Sequence, residues 1–310
     1  MRWFGWFRRK KPASETDALS GSPYVTIGGR LHTAGIPYAL PADLEEQNRL
    51  DFQHYLLRAT FQGNYAAPLD RPSSILDVGC GTGLWAREMA QRFPQAQVVG
   101  LDVTAPRVDE LASTQTQQVG LDLRPANYQF VAGNVLEGLP FPDASFDFVH
   151  MRLLVLALPH DRWPFVISEL ARVTRPGGWV ESVEATTLER GGPAMDLLMS
   201  WIVAMLARRG IHFPDGAVVG ERLRAAGLAN VAERHVQLPF GAYGGRVGRL
   251  LSSDFFGGAK AFGAALEAQG IASQPQFEQV FAQARADTES PEVRCVSPFH
   301  IAFGQRTPRV

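Results

Sequence analysis

Three glycines spaced two apart, Gly79, Gly81 and Gly83, follow a short apolar run that contains an acid, Ile75-Leu76-Asp77-Val78. Residues of this kind suit a ligand that must lie against the backbone. Glycine adopts positive φ and has no Cβ to hold the ligand off. A helix that opens just after the turn offers free N–H groups and the positive end of its dipole. A second acid, Asp102, follows the apolar run Gln97-Val98-Val99-Gly100-Leu101. It stands about 20 residues past the turn, where an acid can take the ribose hydroxyls of a nucleoside. Taken alone, the triplet also fits a tight loop in some other α/β protein. Its spacing departs from the dinucleotide fingerprint G-x-G-x-x-G, because Leu84 stands where the last glycine would be. His150 and His160 are candidate bases by position only. His150 closes an apolar run, so a satisfied core histidine is an equal reading of it, and His54 reads as a packed or surface histidine. The scattered acids lack metal-ligand spacing, and no metal is expected.

The hydrophobic pattern supplies elements to carry these residues. Apolar runs predict strands at about 74–78, 97–101, 128–132, 146–150, 179–183, 229–238 and 293–303. Helical spacing predicts helices at about 84–92, 162–173 and 215–226, with more helical sequence at 104–125, 245–269 and 275–288. Met195, Leu198, Met199, Ile202, Met205 and Leu206 form an apolar stripe between the fifth and sixth strands, as core or as an adaptable pocket lining. Residues 24–70 form a segment ahead of the sheet. Tyr24, Val25 and Ile27 run into a Gly28-Gly29-Arg30 turn, and Asp43 caps a helix with Leu50, His54, Leu57 and Phe61 on one face. The segment is too short to bury a core alone, so a lid over the glycine turn is expected.

The totals bound the function. The chain has 310 residues, 45% hydrophobic and 20% charged, which is globular composition. A formal net charge of -1 gives no global basic field, so no nucleic-acid partner is expected. Cys80 and Cys295 stand far apart in sequence and form no disulfide framework. There is no apolar run of about 18 residues and no signal-peptide core, and a cytoplasmic setting is expected. Residues 1–23 read as a flexible tail. Its aromatics Trp3, Phe4, Trp6 and Phe7 alternate with Arg2, Arg8, Arg9, Lys10 and Lys11, which admits weak membrane-surface contact through residues 1–11.

Further landmarks stand in order after the glycine turn: Asp102, Gly133-Asn134-Val135, the stretch Leu139-Pro140-Phe141-Pro142-Asp143-Ala144-Ser145-Phe146-Asp147, and Arg175-Pro176-Gly177-Gly178-Trp179. Together they resemble the class I S-adenosylmethionine (SAM)-dependent methyltransferases across residues 71–305. Tyr38-Ala39-Leu40-Pro41-Ala42-Asp43 and Glu45-Glu46-Gln47-Asn48-Arg49-Leu50-Asp51 resemble the segment before that domain in fungal velvet-associated secondary-metabolism methyltransferases and their bacterial relatives. The resemblance implies an α/β fold: a Rossmann-like, doubly wound, seven-stranded sheet in the order 3-2-1-4-5-7-6, strand 7 antiparallel, with the lid segment and inserted helices near 185–212 and 240–290. It implies SAM as cofactor. Asp77, Gly79, Cys80, Gly81 and Gly83 would hold its methionine end, Asp102 with Val103 the ribose, and Asn134 with Val135 the adenine. Met151 and Arg152 would lie near the methyl donor. The family usually has Asp at position 134. The expected activity is methyl transfer to a small-molecule acceptor. The alternatives are a SAM-binding regulator that acts through a protein partner, and a peripheral membrane enzyme acting on a lipid or quinone.

Overall fold

The computed structural model describes residues 24–105 and 125–307. The expected tail at 1–23 and most of the expected helix at 104–125 lie outside them. A hairpin of β1 (Tyr24–Ile27) and β2 (Arg30–Thr33) opens the described chain. Helix α1 (Leu44–Phe61) follows, with the Asp43 side chain accepting from the Glu46 N–H as its N-cap. The buried positions of α1 include Glu46 and His54 beside Leu56 and Leu57, so its inner face is part polar.

The sheet begins at β3 (Ser74–Val78), whose residues are all buried because helices cover both faces. Then come α2 (Leu84–Arg92), β4 (Gln97–Asp102), β5 (Tyr128–Ala132), β6 (Phe146–Arg152), α3 (Trp163–Val173) and β7 (Thr174–Ala185). Helices α4 (Pro193–Ala207) and α5 (Val219–Ala225) lead to β8 (Ala229–Pro239). After α6 (Gly245–Ala259), α7 (Phe262–Ala268) and α8 (Gln274–Thr288), β9 (Val296–Gln305) closes the sheet. The order is β5-β4-β3-β6-β7-β9-β8, with β9 antiparallel to both neighbours. With the N-terminal hairpin set aside, this is the expected 3-2-1-4-5-7-6. The chain winds outward from β3 to β5 and resumes at β6 on the other side, so a crevice opens at the carboxyl ends of β3 and β6.

One boundary differs. Strand β7 starts at Thr174 and runs through Pro176-Gly177-Gly178, ahead of the expected start near 179. A Cβ on Gly178 would sit 2.7 Å from the Asp147 carbonyl oxygen, so glycine lets the two strands meet, and the register shifts beside it between Phe146 and Phe148. Three buried clusters result. One lies between α3, α5 and the sheet, one between α2 and the sheet, and the third joins α4 and α6–α8 to α1. The Met195–Leu206 stripe belongs to the third. No helix of the described residues is long and apolar enough to cross a membrane.

Candidate active site

The glycine turn is built as the spacing requires. Gly79, Gly81 and Gly83 have φ of 70°, 53° and 71°. A Cβ on Gly79 would lie 2.5 Å from Leu154 Cδ2, and one on Gly83 would lie 2.7 Å from Tyr128 Oη. The Gly79 and Cys80 N–H groups donate to the Leu101 carbonyl at 2.8 and 3.0 Å, which folds the turn toward β4. Asp102, half-buried at the end of β4, completes the tie. Its carboxylate accepts from the Gly81 N–H at 2.8 Å and the Thr104 N–H at 3.2 Å. Burial pushes the Asp102 carboxyl above its ordinary pKa, and the backbone donors oppose that.

Asp77 and His150 are partners in the β3–β6 register. His150 Nδ1 lies 2.9 Å from Asp77 Oδ1 inside the core, and the ring stacks on Trp85 with centroids 3.9 Å apart and planes 5° apart. Against an ionised carboxylate Nδ1 must carry the proton. His150 therefore holds the Asp77 carboxylate in place, and its Nε2 makes no hydrogen bond. Alternation along β6 sends His150 and Arg152 to the cavity and Met151 the other way. The Met151 side chain is fully buried in the core under α3 and does not line the cavity.

Arg152 leads to a residue whose role the sequence hid. Its Nη2 donates to His54 Nδ1 at 3.1 Å, and His54 Nε2 donates to Glu88 Oε2 at 3.0 Å. Burial, with the Arg152 charge adding to it, pushes the His54 pKa down to about 4. A neutral ring with one donor and one acceptor nitrogen suits both bonds. His54 lines the cavity wall and aims Arg152.

The cavity has a volume of about 350 Å³. At one end lie Asp77, the turn with Cys80, Asp102, Val103, Asn134 and Val135. The other end is apolar, with Met199, Ile202, Phe213, Phe240, Phe262 and Phe299 brought in by the inserted helices and β9. Asn134 is engaged locally. Its Oδ1 accepts from the Leu136 N–H at 3.0 Å, and its amide donates to Glu137 at 3.2 Å, capping a short turn. Across the apolar end, Arg49 on α1 donates to Glu46 Oε2 at 2.8 Å and to Asp254 Oδ1 on α6 at 2.7 Å, and Gln53 donates to Asp254 at 2.8 Å. Burial raises the pKa of both Glu46 and Asp254. The polar residues Glu46, Arg49 and Gln53 at helical spacing, on a helix that must be buried, were the available signal for this cluster.

Glu184 holds a further turn of the cavity wall, the one whose Leu154 packs against Gly79. It is fully buried and accepts from the Leu154 and Val155 N–H groups at 3.2 and 3.0 Å. Burial pushes its carboxyl up to about 8. It steadies a turn in which Leu153 holds a left-handed φ of 56°, a conformation that costs ~1–3 kcal/mol and persists only when its surroundings impose it. His160, the other candidate base, does not line the cavity. It meets His212 and Asp215 outside it.

Comparison with known proteins matches residues 75–178 to a methyltransferase domain. A methyltransferase of Strobilurus tenacellus, str3, is 36% identical over 149 residues, covering 47% of this chain and 48% of its own. The secondary metabolism regulator laeA of Aspergillus flavus is 32% identical over 188 residues, 58% of this chain and 47% of its own. The chain thus spans about half the length of these two relatives. An N-methyltransferase of Leptosphaeria maculans, sirN, is 27% identical over 284 residues, 87% of this chain and 94% of its own. Among solved structures, phosphoethanolamine N-methyltransferase 2 of Haemonchus contortus, in complex with SAM, shares the fold. Its TM-score is 0.50 at 16% identity, over 84% of this chain and 52% of that one.

Proposed function

We propose, on the premise that this chain carries a class I SAM-dependent methyltransferase domain, that it binds SAM at the carboxyl ends of β3 and β4 and methylates a small apolar acceptor. The residues present fit that cofactor: a turn closed to any Cβ at Gly79 and Gly83, and two acids that present acceptors beside it. Gly79, Gly81 and Gly83 admit the methionine end, with Asp77 held by His150 to receive its amino group. Asp102 and Val103 take the ribose, and Asn134 and Val135 flank the adenine. Bound SAM supplies an electrophilic methyl on a sulfonium. The protein's part is to aim an acceptor in line with it and keep water out, and such positioning is worth ~7–11 kcal/mol. Residues 24–70 act as a lid, since Tyr38, Glu46, Arg49, His54 and Leu57 form one wall of the cavity.

The observation that carries this reading is the continuity of the cavity. One space joins the acids and the glycine turn to an apolar chamber built by the inserted helices. Calorimetry with the full chain tests the cofactor. Micromolar SAM binding with weak NAD binding is expected, and tight NAD binding without SAM binding would overturn it. A second reading, a SAM-binding regulator acting through a partner, draws on the likeness to laeA. A chamber of apolar side chains favours turnover of a small molecule.

A further inference from the structure

The geometry points to a divalent-cation site at His160, His212 and Asp215, one that binds a zinc-like ion and staples together the two chain segments that carry it. His160 stands in the short 3₁₀ turn before α3, and His212 precedes the turn Phe213–Val218 that contains Asp215. The sequence spacing of these residues gives no ligand motif; the fold alone brings them together. His160 Nδ1 lies 2.9 and 3.0 Å from the two Asp215 carboxylate oxygens, and His212 Nδ1 lies 3.4 Å from Oδ1. The three ligand atoms all fall within 4.8 Å of one another. Zinc bonds to nitrogen and oxygen of about 2.0–2.2 Å in a tetrahedron require donors roughly 3.3 Å apart. Two of the three edges are therefore already near their final length, and only the edge between the two rings must adjust.

Two imidazoles and one carboxylate suit Zn²⁺, Ni²⁺ or Cu²⁺, whereas Mg²⁺ and Ca²⁺ select all-oxygen sets. The His160 and His212 side chains are 64% and 58% exposed and Asp215 is 3% exposed, so an ion enters from solvent onto a fixed carboxylate. Arg222 fixes it, with Nη2 2.6 Å from Asp215 Oδ1 and Nη1 3.0 Å from the Asp215 carbonyl. Outer partners of this kind orient a ligand. The Arg222 charge also opposes a dication, which sets the expected affinity in the micromolar range. A bound ion joins the loop after Leu158 to the turn that begins at Phe213. Both of those residues line the apolar chamber, so the ion would stiffen its wall. The site does not depend on what the cavity binds.

The test is calorimetric titration of the untagged full chain with Zn²⁺ alone, together with thermal unfolding with and without it. One equivalent bound at micromolar Kd and a raised Tm are expected, and His160→Gln and His212→Gln should each weaken binding at least roughly tenfold. Both substitutions fall on exposed side chains, so the fold survives them. His235→Gln is the control, because His235 and His300 Nδ1 atoms lie 2.7 Å apart and offer zinc another seat. Wild-type affinity in both site variants, loss that follows His235→Gln instead, or no binding by the parent chain would overturn the site.

Discussion

The two ends of the cavity are built in opposite ways. The end at β3 and β4 is local. Its turn, its first acid and its covering helix are one continuous stretch, and Asp102 binds Gly81 across only 21 residues. The apolar end is assembled from afar. Arg49 reaches Asp254 over 205 residues, against 73 for the His150–Asp77 pair beside the glycine turn. The local end rests on backbone geometry, so it tolerates little change. Buried ionisable groups, Glu46, Asp254 and Glu184, hold the assembled parts of the wall, so pH and substitution of their partners should act there.

Glu184 gives the largest expected effect. Its folded pKa of about 8 lies above an ordinary value of 4.5. Its contribution to stability is therefore complete below about pH 4.5 and is lost as pH rises through about 8, up to several kcal/mol at ~1.4 per pKa unit. Glu184→Gln should flatten that slope in denaturant titrations run between those limits. An unchanged slope would place the titration elsewhere. Arg49→Met comes next. Removing the cation between two buried acids should cost ~3–5 kcal/mol. Hydrogen exchange should show the loss at 44–61 and 245–259 and spare 77–84; uniform exchange would erase the distinction between the two ends. Asp102→Ala acts on the other end. It removes a charge-assisted acceptor worth ~1.5–3 kcal/mol, so SAM should bind roughly tenfold to hundredfold more weakly while the fold survives. An unchanged Kd would leave Asp102 a mere clamp on Gly81. The smallest effect belongs to Asn134→Asp. The new carboxylate could accept from an adenine amine, but it would face Glu137, which now takes the Asn134 amide. SAM affinity should shift by less than about tenfold, or 1.4 kcal/mol, and a larger change in titration would show that the side chain points into the cavity and not along its turn.

The same contrast explains what the sequence disclosed. The strand–turn–helix at 74–92 and Asp102 were legible because they depend on short-range periodicity and spacing; the sheet order came only with the resemblance to the methyltransferases, whose winding right-handed crossovers favour. Asp43 as a cap was legible for the same reason. That the Met151 side chain faces the core and Arg152 the cavity was not legible, because motif position alone does not say which face of β6 a residue takes. His54 read as a packed or surface histidine and is packed, but its tie to Arg152 had no signal because its partners, Arg152 and Glu88, lie on other elements. His160 was drawn toward the cavity by its position after β6, while the loop carries it to Asp215. The Arg49–Asp254 pair had no sequence signal beyond polar residues on a helix that had to be buried.

The most direct test is methyl transfer itself. The full chain is incubated with methyl-labelled SAM and a cell extract, and the labelled product is isolated, with Asp102→Ala in parallel at limiting SAM. Label should pass to a small, largely apolar molecule, and the variant should pass far less of it. SAM that binds but yields no labelled small molecule in any extract fraction, or label found only in protein, would contradict a cavity that joins a cofactor end to an acceptor chamber.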